Sequence, residues 1–285
     1  MKFINKHIDD IWLWLIVFIG VAGFFIFYLA PFILGIIYSL FDLLDNQFVG
    51  FANYRNLFNN ELFRVALFNT ARFTLLSLGL VITISFGAAY IMHFTPLGRF
   101  IPRGVLLLPL AIPAVGISFV WYWLFHFRGY LSGFVYNSLG LTINLFSGIG
   151  LYVPLLVLFL WRYVGFSIFI YIAGMTHLQP AHIDAFRMES KNHFKFIKYI
   201  LIPHEHPRTI YLLLLNLIFS MTIFRDIYAI WANYPPRALY MVQHFVHNNF
   251  LRLHYERAAT GGVIMAGFVL IVLFGIYAYG KRCES

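Results

Sequence analysis

The sequence predicts an all-α, polytopic membrane protein with six transmembrane helices, and three observations point there. Hydrophobic residues fill 61% of the 285 positions and charged residues only 11%, against roughly 45–50% and about 25% in soluble domains. Too few charges remain to coat a water-soluble core, so lipid must replace water over much of the surface. Apolar runs long enough to cross the ~30 Å hydrocarbon layer, about 20 residues each, recur along the chain. Finally, the basic residues gather in the two tails and in the connections that six crossings place on the same side.

The first span is expected at 12–40, within the 31 uncharged residues between Asp10 and Asp42. The charged stretch before it could suggest a secretory leader. The apolar run is far longer than a signal-peptide core, however, and lacks a small-residue cleavage pattern, which favours a retained span. Further spans are expected at 70–93, 103–125, 151–175, 209–231 and 258–279, with Arg162 near the middle of the fourth. Six crossings put both termini on one side. All six lysines lie there (Lys2, Lys6, Lys191, Lys195, Lys198, Lys281), and with Arg99, Arg103, Arg187, Arg208 and Arg282 they make eleven cations against six outside. The termini are therefore expected in the cytoplasm, and residues 1–285 are read as one domain.

The net charge of +9 has this topological explanation, and no basic run with interleaved aromatics suggests nucleic acid. The one cysteine, Cys283, excludes an internal disulfide. Eleven histidines are present, but their spacings match no standard zinc site, so no metal is expected. Catalytic signatures are absent too: there is no G-x-S-x-G and no H-E-x-x-H.

The longest inside segment, 177–208, is more than a connector. Pro180 can open a helix, where its missing N–H is harmless. Ile183 and Phe186 then recur at helical spacing, Ser190-Lys-Asn192 makes a turn, and a second run from His193 is expected to end at Pro203. Two short helices lying on the inner membrane surface are the outcome.

Three stretches of the chain resemble one family. Asp184-Ala185-Phe186-Arg-Met-Glu189-Ser190-Lys191, followed by Ile200, Pro203 and Pro207, is similar to E-A-A-x-x-D-G-A with its trailing I-x-x-P-x-x-x-P. Phe48-Val-Gly-Phe-Ala-Asn-Tyr54, with Leu67-Phe-Asn69-Thr70, resembles F-x-G-x-x-N-Y and L-x-N-T. Ala173-Gly-Met-Thr-His-Leu-Gln-Pro180 is close to A-G-L-x-x-I-P. These motifs mark the inner-membrane permease subunits of ABC importers, in particular the carbohydrate branch related to the maltose and glycerol-phosphate permeases.

The resemblance implies a type I importer permease fold, in which the 177–208 loop is a coupling helix docked into an ATPase. It implies a second permease subunit, paired as a heterodimer, two ATPase copies and an extracytoplasmic solute-binding protein. ATP and Mg²⁺ would belong to the ATPase, since this chain has no phosphate-cradling G-x-x-x-x-G-K-[ST]. The loop departs from the family where Asp184 replaces Glu, Phe186 Ala, Glu189 Asp and Ser190 Gly. A glycine at that turn permits positive φ, so Ser190 should strain it or impose another geometry.

By the same resemblance the spans flanking the loop line a solute path, which gives Trp161, Arg162 and Phe166 on the fourth span and Asn216, Phe219, Ser220 and Asp226 on the fifth. Aromatic faces with amide, hydroxyl and guanidinium groups suit a sugar or oligosaccharide, and Arg162 suits an anionic one. A charge in mid-membrane faces either a cavity or a partner group, and both readings stand for Arg162. Arg225 and Asp226 are neighbours and must point apart on a helix. The rival reading is a secondary transporter or channel subunit driven by an ion gradient, with Arg162 and Asp226 as a relay. The single cytoplasmic hairpin and the lack of an inverted repeat count against it.

Overall fold

The computed structural model describes residues 14–96, 98, 102–126, 129–140, 148–190 and 192–284. Helix α1 (Trp14–Leu40) is apolar throughout, and a π-helical stretch, Phe25–Leu29, interrupts its regular turns. Two-residue strands β1 (Phe41–Asp42) and β2 (Gln47–Phe48) then pair antiparallel, and α2 (Ala52–Asn59) leads into the long α3 (Glu61–Phe94). The second span therefore begins well before residue 70. The polar residues Glu61, Arg64 and Asn69, read as loop, extend the helix beyond its apolar part.

The third expected span is not one helix. A 3₁₀ turn, Arg103–Leu107, runs into α4 (Leu108–Ala111), and the chain breaks before α5 (Ala114–Phe125) and α6 (Tyr130–Leu139). The halves Gly104–Ala111 and Gly116–Ser138 meet at 97°. Pro113 causes the break. It has no N–H to donate, and it pushes Ile112 out of the helical region to φ −83°, ψ 128°. Among the described residues, five helices are long and apolar enough to cross a membrane, or six if the bent pair counts as one span.

The fourth span is α7 (Tyr152–Met175). After it come α8 (Pro180–Glu189) and α9 (His193–Phe196), which continues through a π-helical stretch, Ile197–Leu201, into α10 (Ile202–Met221) and α11 (Ile223–Trp231). The expected stop at Pro203 does not occur. Proline is tolerated in the first turn after the π stretch, where the N–H of Ile202 already reaches back five residues to the Ile197 carbonyl. The second loop helix and the fifth span are thus a single rod, His193–Trp231. A further helix, α12 (Val242–Leu251), occupies what reads as loop, and α13 (Tyr255–Glu284) is the last span.

The chain groups into two compact units, residues 1–64 with 245–266 and residues 65–244 with 267–285. In the first, Phe63 is fully buried against Phe245, ring centroids 5.0 Å apart. Among the described residues, the second holds three apolar clusters. One centres on Phe73, Phe159, Tyr163 and Ile223; one at the loop end on Tyr171, Met175, Phe196 and Leu201; and one joins Leu78, Leu217 and Ile276.

Candidate functional site

The described part of the loop 177–208 is folded against the ends of α3 and α7. Pro180 occupies the first turn of α8, as its chemistry predicts. Ile183 and Phe186 point inward and pack on the cluster around Tyr171 and Phe196, the Phe186 and Phe196 rings 5.5 Å apart. Phe196 stacks edge-on against Phe94, and Phe94 lies against Tyr90 at the end of α3. Tyr90 also exchanges a hydrogen bond with His193 Nδ1 at 2.8 Å. A hollow of about 360 Å³ lies between these rings and the turn. Asp184 and Met188, four residues apart, face outward, and Met188 is 90% exposed. Ala185 and Glu189 share the helix, while Lys191 lies outside the described residues.

The turn itself needs no left-handed residue. Ser190 is extended at φ −152°, ψ 137°, and its Oγ accepts from the Asn192 N–H. Asn192 caps α9, its Oδ1 accepting from the N–H groups of Phe194 and Lys195. The loop's far end is closed by a tight crossing. A Cβ on Gly174 would collide with the side chains of Arg208 and Glu205, which would have to move to make room for it. His204 Nε2 lies 3.2 Å from the Gly174 carbonyl oxygen, Arg208 Nη1 donates to the His204 carbonyl, and Glu205, fully buried, sits 3.6 Å from Arg208 Nη1. Pro203 opens α10 just before this crossing.

Midway along α7 the chemistry is polar and dry. Arg162 donates from Nη1 and Nη2 to the two oxygens of Asp226, both at 3.0 Å, and Ser118 Oγ donates to Asp226 Oδ1 at 3.0 Å. Arg162 is 7% exposed and Asp226 1%. A two-pronged guanidinium–carboxylate pair is the strongest contact side chains offer, and here it is desolvated. It ties α7 to α11 and, through Ser118, to the half-helix α5 of the broken span. Of the two readings of Arg162, the structure displays the paired one. Arg225, by contrast, turns outward and is exposed.

The other expected path residues divide by environment. Asn216 is fully buried and donates to Ser167 Oγ and the Leu212 carbonyl, and Ser220 donates to Thr74 Oγ1 and the Leu217 carbonyl. Trp161, Phe166 and Phe219 are half-buried. Trp161 lies 5.3 Å from Trp121 and borders an open apolar groove of about 450 Å³. Phe219 stacks on Tyr163 at 4.5 Å and meets Phe166 edge-on at 6.2 Å.

Asn69 and Thr70 carry a function that sequence reasoning left unassigned. Asn69 Nδ2 donates to the carbonyls of Arg237 and Tyr240, and its Oδ1 accepts from the Tyr152 hydroxyl. Thr70 Oγ1 accepts from the Val242 N–H. Together they fasten the 232–242 connection to α3 and α7. An amide and a hydroxyl side by side at the polar end of a span were the available signal.

No family model matches the chain. Curated relatives do. The arabinooligosaccharides transport system permease protein AraP of Bacillus subtilis is 27% identical over 267 residues, 88% of this chain and 83% of that one. The trehalose/maltose transport system permease protein MalF of Thermococcus litoralis is 23% identical over 234 residues, 81% and 79% of the two chains. The sn-glycerol-3-phosphate transport system permease protein UgpA of Pectobacterium atrosepticum is 23% identical over 253 residues, 86% and 85%. In fold, a chain from the crystal structure of a bacterial ABC transporter involved in the import of the acidic polysaccharide alginate superposes with a TM-score of 0.81 at 18% identity, covering 99% of both chains. Relatives along more than four-fifths of the sequence and a fold matched end to end converge with the loop geometry, and they do not favour an ion-gradient carrier. The chain is a multi-pass membrane protein and a permease subunit of an ABC importer, a transporter component rather than an enzyme, and the curated relatives it resembles are carbohydrate ABC transporter permeases.

Proposed function

We propose that this permease carries a sugar or oligosaccharide inward by alternating access, as one half of a pore completed by a second, similar permease. A soluble binding protein delivers the solute outside. Two copies of an ATPase, which hold the ATP and Mg²⁺, close on nucleotide and move the pore through the 177–208 loop. Both termini and the loop lie in the cytoplasm of the bacterial cell, and residues 1–285 act as one permease domain. The relatives belong to arabinooligosaccharide and trehalose/maltose transport systems, which supports the choice of solute.

The observation that carries this reading is the two-faced helix α8. Its inner face is locked by Ile183 and Phe186 to the ends of α3 and α7, while Asp184 and the 90% exposed Met188 are offered outward. Such a thioether, flexible and apolar, suits a cleft on a moving partner. Along the path, the half-buried rings of Trp161, Phe166 and Phe219 are the groups we assign to the C–H faces of the solute. Arg162, Asn216, Ser220 and Asp226 shape the wall behind them.

The test is uptake of labelled arabino- and malto-oligosaccharides by proteoliposomes holding the complete complex. Scrambling residues 184–191 should abolish ATP-dependent uptake and release the ATPase during purification. Uptake that continues without ATP, or with the scrambled loop, would overturn the mechanism.

A further inference from the structure

The segment between α1 and α3 contains the motif Phe48-Val-Gly-Phe-Ala-Asn-Tyr54, and the structure accounts for only part of it. Gly50 adopts φ +55°, which an L side chain resists. Asn53 Nδ2 donates to the carbonyls of Ser39 and Phe41, the Tyr54 hydroxyl bonds the buried Ser39 Oγ at 2.7 Å, and the N–H groups of Val49 and Gly50 both reach the Leu40 carbonyl. These contacts fix the hairpin and α2 to the end of α1. They leave both phenylalanines of the motif without a burial role. Phe48 is 67% exposed, Phe51 77%, and Leu44 at the hairpin tip 89%.

Three large apolar side chains on one rigid foot are costly in water. Their position supplies the solvent that would cover them. The described part of helix α1 has 27 residues, and at about 1.5 Å each it is ~40 Å long, enough to cross a bilayer with its headgroup layers. None of its most apolar stretch is buried within the chain, and the hairpin begins at the next residue, Phe41. The foot therefore continues a surface built to face lipid, at headgroup depth. Helix α2 has the matching pattern. Tyr54 and Leu57 turn inward, while Phe51, Arg55 and Phe58, at i, i+4 and i+7, form an exposed face of two aromatics around a cation. That is the chemistry of the interface, where rings sit among the acyl carbonyls and a guanidinium reaches a phosphate.

We infer that the β1–β2 hairpin and the start of α2 form an interfacial foot, with Leu44, Phe48 and Phe51 inserted into the headgroup layer of the bilayer. The leaflet is the outer one if the proposed topology holds; the contact with phospholipid does not depend on that reading.

Nitroxide accessibility in the intact complex, reconstituted in phospholipid nanodiscs with Cys283 replaced, tests it. Labels at Leu44→Cys, Phe48→Cys and Phe51→Cys should collide with oxygen more readily than with an aqueous nickel chelate, and a label at Asn56→Cys on the flank of α2 should do the reverse. In the Phe48→Ser/Phe51→Ser double variant the Leu44→Cys label should become several-fold more accessible to nickel. Equal nickel access at all four positions would overturn the proposal. So would protection of the three that appears only when the binding protein is added, because the patch would then be a protein-docking surface.

Discussion

Two regions of the larger unit hold helices together by opposite means. Around Arg162 the contacts are charged, directional and dry: a two-pronged ion pair and the Ser118 hydroxyl fix α5, α7 and α11. At the loop end they are mostly ring against ring, along Phe186, Phe196, Phe94 and Tyr90, with a hollow beside them. A hydrogen bond at 3.0 Å loses most of its value when its partners slide by an ångström or rotate, whereas the burial of apolar area that dominates a ring contact is non-directional and changes gradually. The first region is suited to holding a register through a conformational cycle. The second is suited to moving, as the proposed coupling role of the loop requires.

Removing one half of the ion pair should produce the largest effect. Asp226→Ala leaves a buried guanidinium uncompensated, and a loss of about 3–5 kcal/mol in stability is expected, read as a fall in the thermal midpoint of the detergent-solubilised complex. The comparison sharpens if Arg162→Met with Asp226→Leu recovers most of that loss, since an apolar pair of similar volume has no charge left to compensate. A charge pair needed for solute contact would instead stay inactive in uptake despite recovered stability.

The crossing at Gly174 comes next. Gly174→Ala forces its Cβ against Arg208 and Glu205, and overpacking of that kind costs roughly 1–3 kcal/mol. Because the displaced segment is the root of the loop, uptake per ATP hydrolysed should fall more than stability does. Equal losses in both would place Gly174 among ordinary packing residues. Asn69→Ala should cost a comparable ~1–3 kcal/mol, because the Arg237 and Tyr240 carbonyls and the Tyr152 hydroxyl each lose a hydrogen bond together. Faster amide exchange across 237–242 is the measurement that checks it.

Much of the fold was legible because spans are written in composition. Four of the six were readable in type and approximate extent, α7 to within one residue at each end. Composition is silent on geometry inside an apolar run, and so the break at Pro113 was hidden although the proline was in view. Pro203 misled in the other direction: the rule that proline ends a helix assumes α turns, and the π stretch before it changes which N–H is missed. In the site, the loop register and the inward face of Ile183 and Phe186 could be read from local spacing. The union of Arg162 with Asp226, 64 positions apart, could not, because pairing between distant helices depends on packing that no local pattern records.

The smallest effects lie within the turn, where local chemistry is nearly the whole account. Asn192→Ala removes the cap of α9 and should cost about 1 kcal/mol, seen as roughly five-fold faster exchange of the Phe194 and Lys195 amides. Ser190→Gly restores the residue found in the family pattern, and if the family turn were being strained here it should stabilise the loop. With Ser190 already extended, glycine gains no forbidden region and adds backbone freedom to the unfolded chain. A small loss is therefore expected, roughly 0.5–1 kcal/mol, together with loss of the Ser190 Oγ contact to the Asn192 N–H. A gain in loop protection on Ser190→Gly would mean that the working complex adopts a left-handed turn at this position, and that the relaxed hairpin described above is a resting form which the ATPase reshapes on docking.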